Sequence, residues 1–431
     1  MSLMNKMTFD TIEETIYTKK LTNGLHVFLL PKQDVSKVYG LFTTNYGSID
    51  RTFTPINEQE EVTVPDGIAH FLEHKLFEKE DYDVLSEFSK QSASPNAFTS
   101  FTKTAYLFST TDLAEKNVET LLDFVQEPYF SDESVEKEKG IIIQELKMYE
   151  DQPDWRSYMR TIKNMFQNHP VNIDIIGTES SINAITKEDL YTCYNTFYHP
   201  ENMALFVVGN FDAEAMATLI EENQSNKNFT KVDPIDKGEY KEPDHVAIKE
   251  NIIHLPVSIP KVTIGIKESA QILNGEELLK REIFQTMILD YYFSASGSFY
   301  EQLYEEELID DSFDYSTNVE ESFSFSIISS NTENPEQFVK RVKELLLSTN
   351  SDTISEEMFE IMKKKRIGQI LRAMNSLEFV ANQYVHYHFV DVDFFQITTF
   401  IEQLQLDDLN AFLANWIDED RLTVCRVESK S

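Results

Sequence analysis

Gly67-Ile68-Ala69-His70-Phe71-Leu72-Glu73-His74-Lys75-Leu76-Phe77 is the stretch from which the rest of the chain is read. Pro65-Asp66-Gly67 opens a helix expected to run to about Phe77, with Asp66 as its N-cap. Positions i and i+4 of a helix share a face, so His70 and His74 can aim both imidazoles at one point. Nitrogens about 2.0–2.1 Å from an ion suit Zn²⁺. Glu73 stands beside the same face, placed to hydrogen-bond a water rather than to ligate, as a general base does. Ile68, Phe71, Leu72 and Leu76 supply the apolar contacts that hold the helix in a core. With 9 histidines and 74 acidic residues among 431, about 0.03 copies of His-x-x-(Asp/Glu)-His are expected by chance.

A catalytic zinc takes three protein ligands and keeps one position open. The third is sought on a helix expected over 133–149, capped by Ser131 with Ser134 one turn in. Glu145 follows an apolar run and faces inward more than the acids around it. Glu138 lies two turns earlier on the same face.

Working outward, residues 16–21 alternate, Asn23-Gly24 marks a turn and 25–30 continue, which is a hairpin. A third strand is expected over 37–49, a helix over 81–90 and one strand over 98–109. Helices are expected over 113–126 and 155–167, and a short buried strand over 205–208 before Gly209. Strands, then helices, then strands make an α+β order. Residues 223–244 are polar and without period, a linker dividing 1–222 from 245–431. The second half repeats the order: strands at 246–254 and 261–267, helices at 276–293 and 298–307, and strands at 312–317 and 322–329. Helices at 335–347 and 356–389 and a strand at 422–427 complete it. The repeated order suggests a duplication, although no residue-level repeat is visible.

Two domains also suit a chain of 431 residues, 41% hydrophobic. Acidic residues outnumber basic ones 74 to 38, a net charge of -36. Such a field repels nucleic-acid phosphates and anionic membranes and attracts basic peptides. Plain solubility accounts for the same acidity, and composition alone favours that reading. Cys193 and Cys425, each in apolar context, fit a reducing compartment and small core roles. No apolar run reaches the roughly 20 residues that span a bilayer, and no basic segment leads into an apolar one at the N-terminus. The expectation is a cytoplasmic protein.

Three stretches together resemble the inverzincin zinc peptidases, a family that includes pitrilysin, insulysin and the mitochondrial processing peptidase. They are His70-Phe71-Leu72-Glu73-His74 with Glu145 about seventy residues on, Asn96-Ala97-Phe98-Thr99-Ser100, and Phe197-Tyr198-His199-Pro200-Glu201-Asn202-Met203 leading to Val207-Val208-Gly209. The likeness covers nearly the whole chain and is greatest to the short bacterial members. It implies two similar α/β-roll domains, each an antiparallel sheet packed with helices, forming a half-shell, with metal only in the N-terminal one. It implies one zinc per chain on His70, His74 and Glu145, with Glu73 as base and Glu138 supporting the ligands from behind. Asn96 and Ala97 match an edge strand where a peptide substrate adds as a further strand, and Phe98 matches the lining of the adjacent side-chain pocket.

One departure stands out. Active members supply an Arg and a Tyr, seven residues apart, from the second half of the assembly to hold the substrate carbonyl. Aligned on Phe299 and Leu303, those positions are Tyr304 and Asp311 here. The resemblance with this departure implies a metal-bearing endopeptidase subunit working in an enclosed chamber. Its partner would be a homologous subunit that supplies the Arg–Tyr pair. A non-catalytic scaffold and a peptide-binding subunit are the alternatives.

Overall fold

Asn23-Gly24 turns the chain as its sequence requires. Gly24 adopts φ 95°, and Glu14–Lys20 pairs antiparallel with His26–Pro31, Lys20 opposite His26. The computed structural model describes residues 4–9, 12–229, 232–268 and 271–430. In it the hairpin belongs to a seven-stranded sheet ordered Asn5–Phe9, Glu14–Lys20, His26–Pro31, Met203–Gly209, Val38–Thr44, Thr104–Thr110, Ala93–Thr99. Every neighbouring pair is antiparallel except His26–Pro31 with Met203–Gly209. Met203–Gly209 and Val38–Thr44, central in the sheet, are buried along their whole lengths.

The single strand expected over 98–109 is two strands. Ala93–Thr99 and Thr104–Thr110 form a hairpin about residues 100–103, with Ser100 N–H donating to Lys103 O at 2.8 Å. Ser100 Oγ also accepts from Lys103 N–H at 3.1 Å, a side-chain turn hidden in a run of Thr and Phe. Ala93–Thr99 is thereby an edge strand. Helices Glu179–Ala184, Lys187–Phe197 and Ala213–Ser225 were outside the sequence expectation. Their signals are Thr178 and Thr186, each in a capping box, and Asp212, whose side chain caps Ala215.

A second sheet runs Glu250–His254, Leu422–Glu428, Lys261–Lys267, Ser324–Asn331, Asp314–Val319. Only its first pair is parallel. This is the same order and sense as the five strands from His26–Pro31 to Ala93–Thr99, so the repeat suspected from element order recurs in the topology. With its helices, each sheet makes an α+β unit.

The chain divides less simply than at 223–244. One compact unit comprises Met1–Leu146, Asp174–Glu239 and Leu371–Phe389, the other Lys147–Ile173, Tyr240–Ile370 and Val390–Ser431. Each sheet is covered by a helix from the other half of the sequence. Leu377–Phe389 lies on Val38–Thr44 and Met203–Gly209, and Pro153–Met165 lies on Lys261–Lys267 and Leu422–Glu428. The helix expected over 356–389 accordingly breaks into Glu356–Ala373 and Leu377–Phe389, with Ser376 Oγ accepting from Phe379 N–H at 3.2 Å. Among the described residues no helix is long and apolar enough to cross a membrane. Both cysteines are buried and unpaired.

Candidate metal centre

The motif helix spans Ile68–Leu76. Its cap is Gly67, not Asp66. Gly67 takes φ 87°, and a Cβ there would stand 2.1 Å from Ile176 O, so the position admits only glycine. Asp66 is committed elsewhere, paired with Arg51 at 3.1 Å. Ile68, Phe71, Leu72 and Leu76 are all at or below 3% exposed, which fixes the helix on its apolar side. Lys75, unremarked in the sequence reading, is wholly buried, donates to Ser134 Oγ at 2.8 Å and pairs with Glu78. Ser134 lies in the first turn of Asp132–Glu150, so this buried lysine ties the motif helix to the helix that carries Glu138 and Glu145.

The donors of His70, His74 and Glu145 lie within 4.8 Å of one another. His74 Nε2 is 3.4 Å from Glu145 Oε2, and His70 Nε2 is 3.8 Å from Glu145 Oε1. Ligand atoms on a tetrahedron with zinc bonds of about 2.0–2.2 Å stand about 3.3–3.6 Å apart, so the two separations from Glu145 are close to those such an ion requires. Glu138 Oε1 lies 3.0 Å from His74 Nδ1, the carboxylate–imidazole support that leaves Nε2 as the donor. His70 differs: its Nδ1 is buried without a hydrogen-bond partner.

The electrostatics suit a cation. Burial, helped by the neighbouring His74, pushes His70 down to about 3, so its ring is neutral with a lone pair to give. Burial alone would also lower His74. The Glu138 hydrogen bond and the charges of Glu73 and Glu145 outweigh it and hold His74 above its ordinary value. Glu73 is 8% exposed, and burial raises its carboxyl, opposed by Thr99 and His74. Three carboxylates about two imidazoles leave negative charge that a divalent ion would neutralise. The residues present therefore fit zinc.

Glu73 Oε2 accepts from Thr99 Oγ1–H at 2.6 Å. Nothing in the sequence neighbourhood of Thr99 predicts a partner 26 positions away. Thr99 ends the edge strand bearing Asn96, Ala97 and Phe98, of which Asn96 is exposed and the other two half-buried. Ala97 N–H donates to Asn96 Oδ1 at 2.9 Å, which occupies part of the strand's open edge. In the other unit, Tyr304 is 61% exposed on the helix Ser298–Glu305, and Asp311 is exposed. A depression of 930 Å³ lies between Ala114–Gln126 and Ala213–Ser225, lined by Glu119, Asp123, Glu127, Asp212, Glu214 and Glu222 among others. It has acidity without an imidazole, and none of the residues around Glu73 borders it.

Comparison with known proteins follows the same lines. A family model described as "Insulinase (Peptidase family M16)" matches residues 58–179, and one described as "Peptidase M16 inactive domain" matches 184–366. The chain is 48% identical over 429 residues to the "Uncharacterized zinc protease YmfH" of Bacillus subtilis (strain 168), covering 100% of both. It is similar to the crystal structure of a putative M16-like peptidase from Alicyclobacillus acidocaldarius, with 38% identity and TM-score 0.93 over 97% of this chain and 99% of that one. A protease from Helicobacter pylori shares the fold at 17% identity, with TM-score 0.81 over 99% and 100% of the two chains.

Proposed function

The chain belongs to the M16, or insulinase, family of zinc proteases, and from that premise we propose that it is a zinc-dependent endopeptidase and the metal-bearing subunit of a heterodimer. The observation that carries the proposal is the meeting of His70, His74 and Glu145 beside the buried Glu73. His70, His74 and Glu145 would hold the ion. When bound, zinc supplies Lewis acidity, which polarises a scissile carbonyl and lowers the pKa of a water toward about 7.

The chain's own residues do the rest. Thr99 engages Glu73 Oε2, leaving Oε1 to take a proton from the attacking water and return it to the departing amine. A peptide adding to Ala93–Thr99 would displace Asn96 from Ala97 N–H and be read mainly through its backbone, with Phe98 lining a side-chain pocket. The acidity of the chain favours basic peptides in a chamber closed by a second chain. The two buried, unpaired cysteines accord with a reducing, cytoplasmic setting.

The positions where active relatives carry Arg and Tyr hold Tyr304 and Asp311, and Asp311 would put negative charge where negative charge must develop. Losing one oxyanion-stabilising donor typically costs about 10²–10³ in rate. A homodimer repeats the defect, so the pair is assigned to a homologue of similar length with a degenerate metal motif. The test assays this chain, such a homologue and their mixture on one quenched-peptide series. Turnover concentrated in the mixture is expected. Robust turnover by this chain alone, unaffected by the homologue, contradicts the heterodimer. The same missing pair favours one second reading, a zinc-holding peptide binder. Tight peptide binding with no turnover in the mixture would select it.

A further inference from the structure

A glutamate has three side-chain torsions, and a general base works only if one carboxylate oxygen faces the water it deprotonates. Burial confines Glu73 but does not choose which oxygen points where. The hydroxyl of Thr99 does. Its 2.6 Å bond to Glu73 Oε2 lies in the roughly 2.5–2.7 Å range of a charge-assisted O–H···O⁻ bond, the stronger class of hydrogen bond. A hydroxyl has one proton to give, and here it goes to the carboxylate.

The donor is itself held on rigid backbone. Thr99 is the last residue of Ala93–Thr99 and lies opposite Thr104 in register. Thr104 is fully buried, and its Oγ1 donates to Tyr46 O at 2.9 Å. The hydroxyl that orients Glu73 is therefore fixed to the sheet rather than to a loop. It also follows directly on Asn96, Ala97 and Phe98 in the same strand.

We propose that Thr99 is a positioning residue for Glu73, so that the edge strand assigned to receive substrate also sets the orientation of the base. The inference rests on the peptidase reading for what Glu73 does, but not for where its carboxylate is held. Held through Oε2, Glu73 keeps the other oxygen for the water and is kept from turning into the ligand set of His70, His74 and Glu145. A peptide seated on the strand and the base that serves it are then referred to one backbone, and a shift of one carries the other.

The experiment compares wild type with Thr99→Val, which keeps shape and removes the hydroxyl, and Thr99→Ser, which restores it. Thr99→Ala stands in should the valine variant fold poorly. Each is measured for zinc per chain, for kcat and KM with the partner present, and by crystallography for the orientation of the Glu73 carboxylate. Thr99→Val should lower kcat about 10–100-fold, leave KM and zinc within about twofold, and turn the carboxylate. Thr99→Ser should recover most of kcat, and adding Thr99→Val to Glu73→Gln should cost nothing further. Wild-type kcat in Thr99→Val, or equal losses in Val and Ser, overturns the proposal. If the wild-type protein itself turns over no peptide, the peptidase reading falls, and the crystal structures still decide. A Glu73 carboxylate unmoved in Thr99→Val overturns the positioning role, and one that turns upholds it.

Discussion

Each unit buries a glutamate, and the two keep different company. Glu73 is 8% exposed, with His74 and Glu145 close by and a single hydroxyl donor. Glu268 is 4% exposed and accepts from Trp416 Nε1–H at 2.9 Å and from Gln285, with Arg281 and Arg421 near. The two units share one five-stranded topology, yet among the described residues only the first gathers donors for an ion. The topology thus does not depend on the residues proposed to hold the ion. Their presence in one unit is a matter of chemistry, whereas Glu268 is a buried acid satisfied by fixed donors.

Substitutions at the two glutamates should separate these roles. Glu73→Gln keeps every ligand and removes the proton acceptor, so kcat should fall about 10²–10⁴-fold with zinc content unchanged. Full turnover in that variant would remove Glu73 from the base role. Glu268→Gln should leave kcat and zinc alone and act on stability.

Burial pushes Glu268 up to about 7 against the pull of Arg281 and Trp416. A carboxyl whose folded pKa is raised contributes stability that is present below its unfolded value of about 4.3 and is lost as pH rises through the folded value. Between about pH 4.5 and 7 the protein should therefore lose about 3 kcal/mol from this group. Glu268→Gln should flatten that decline in Tm, and an unchanged slope would mean that Glu268 is ionised throughout.

Glu138→Gln should weaken zinc binding about 10–100-fold, because it frees His74 without removing a ligand. Glu145→Gln should weaken it more, and the reverse order on metal titration would exchange the two assignments. The smallest effect concerns charge. Basic peptides should be cleaved faster than acidic ones, by a margin that shrinks as salt rises. Equal rates at low salt would return the acidity to solubility.

The sequence disclosed what a single element contains. His70 and His74 were legible because their spacing lies within one helix, and the hairpin because Asn23-Gly24 fixes its own turn. Glu145 was legible only through the demand for a third ligand. Relations between distant segments were not legible. An apolar stripe on Leu377–Phe389 or Pro153–Met165 says that the helix has a partner and not which sheet it covers. Thr99 and Lys75 act through side-chain bonds across the fold, which no local pattern encodes. Asp66 failed as a cap because Arg51 takes its carboxylate and Gly67 supplies the turn.

On the proposed reading, one unit holds one ion on His70, His74 and Glu145 while Glu73 serves without ligating. Elemental analysis of the purified chain and three variants tests it most directly. Wild type and Glu73→Gln should each carry about one zinc per chain, and His70→Ala and His74→Ala should carry almost none, since each loses one of three protein ligands. A full equivalent of zinc retained in either histidine variant would remove that histidine from the ligand set.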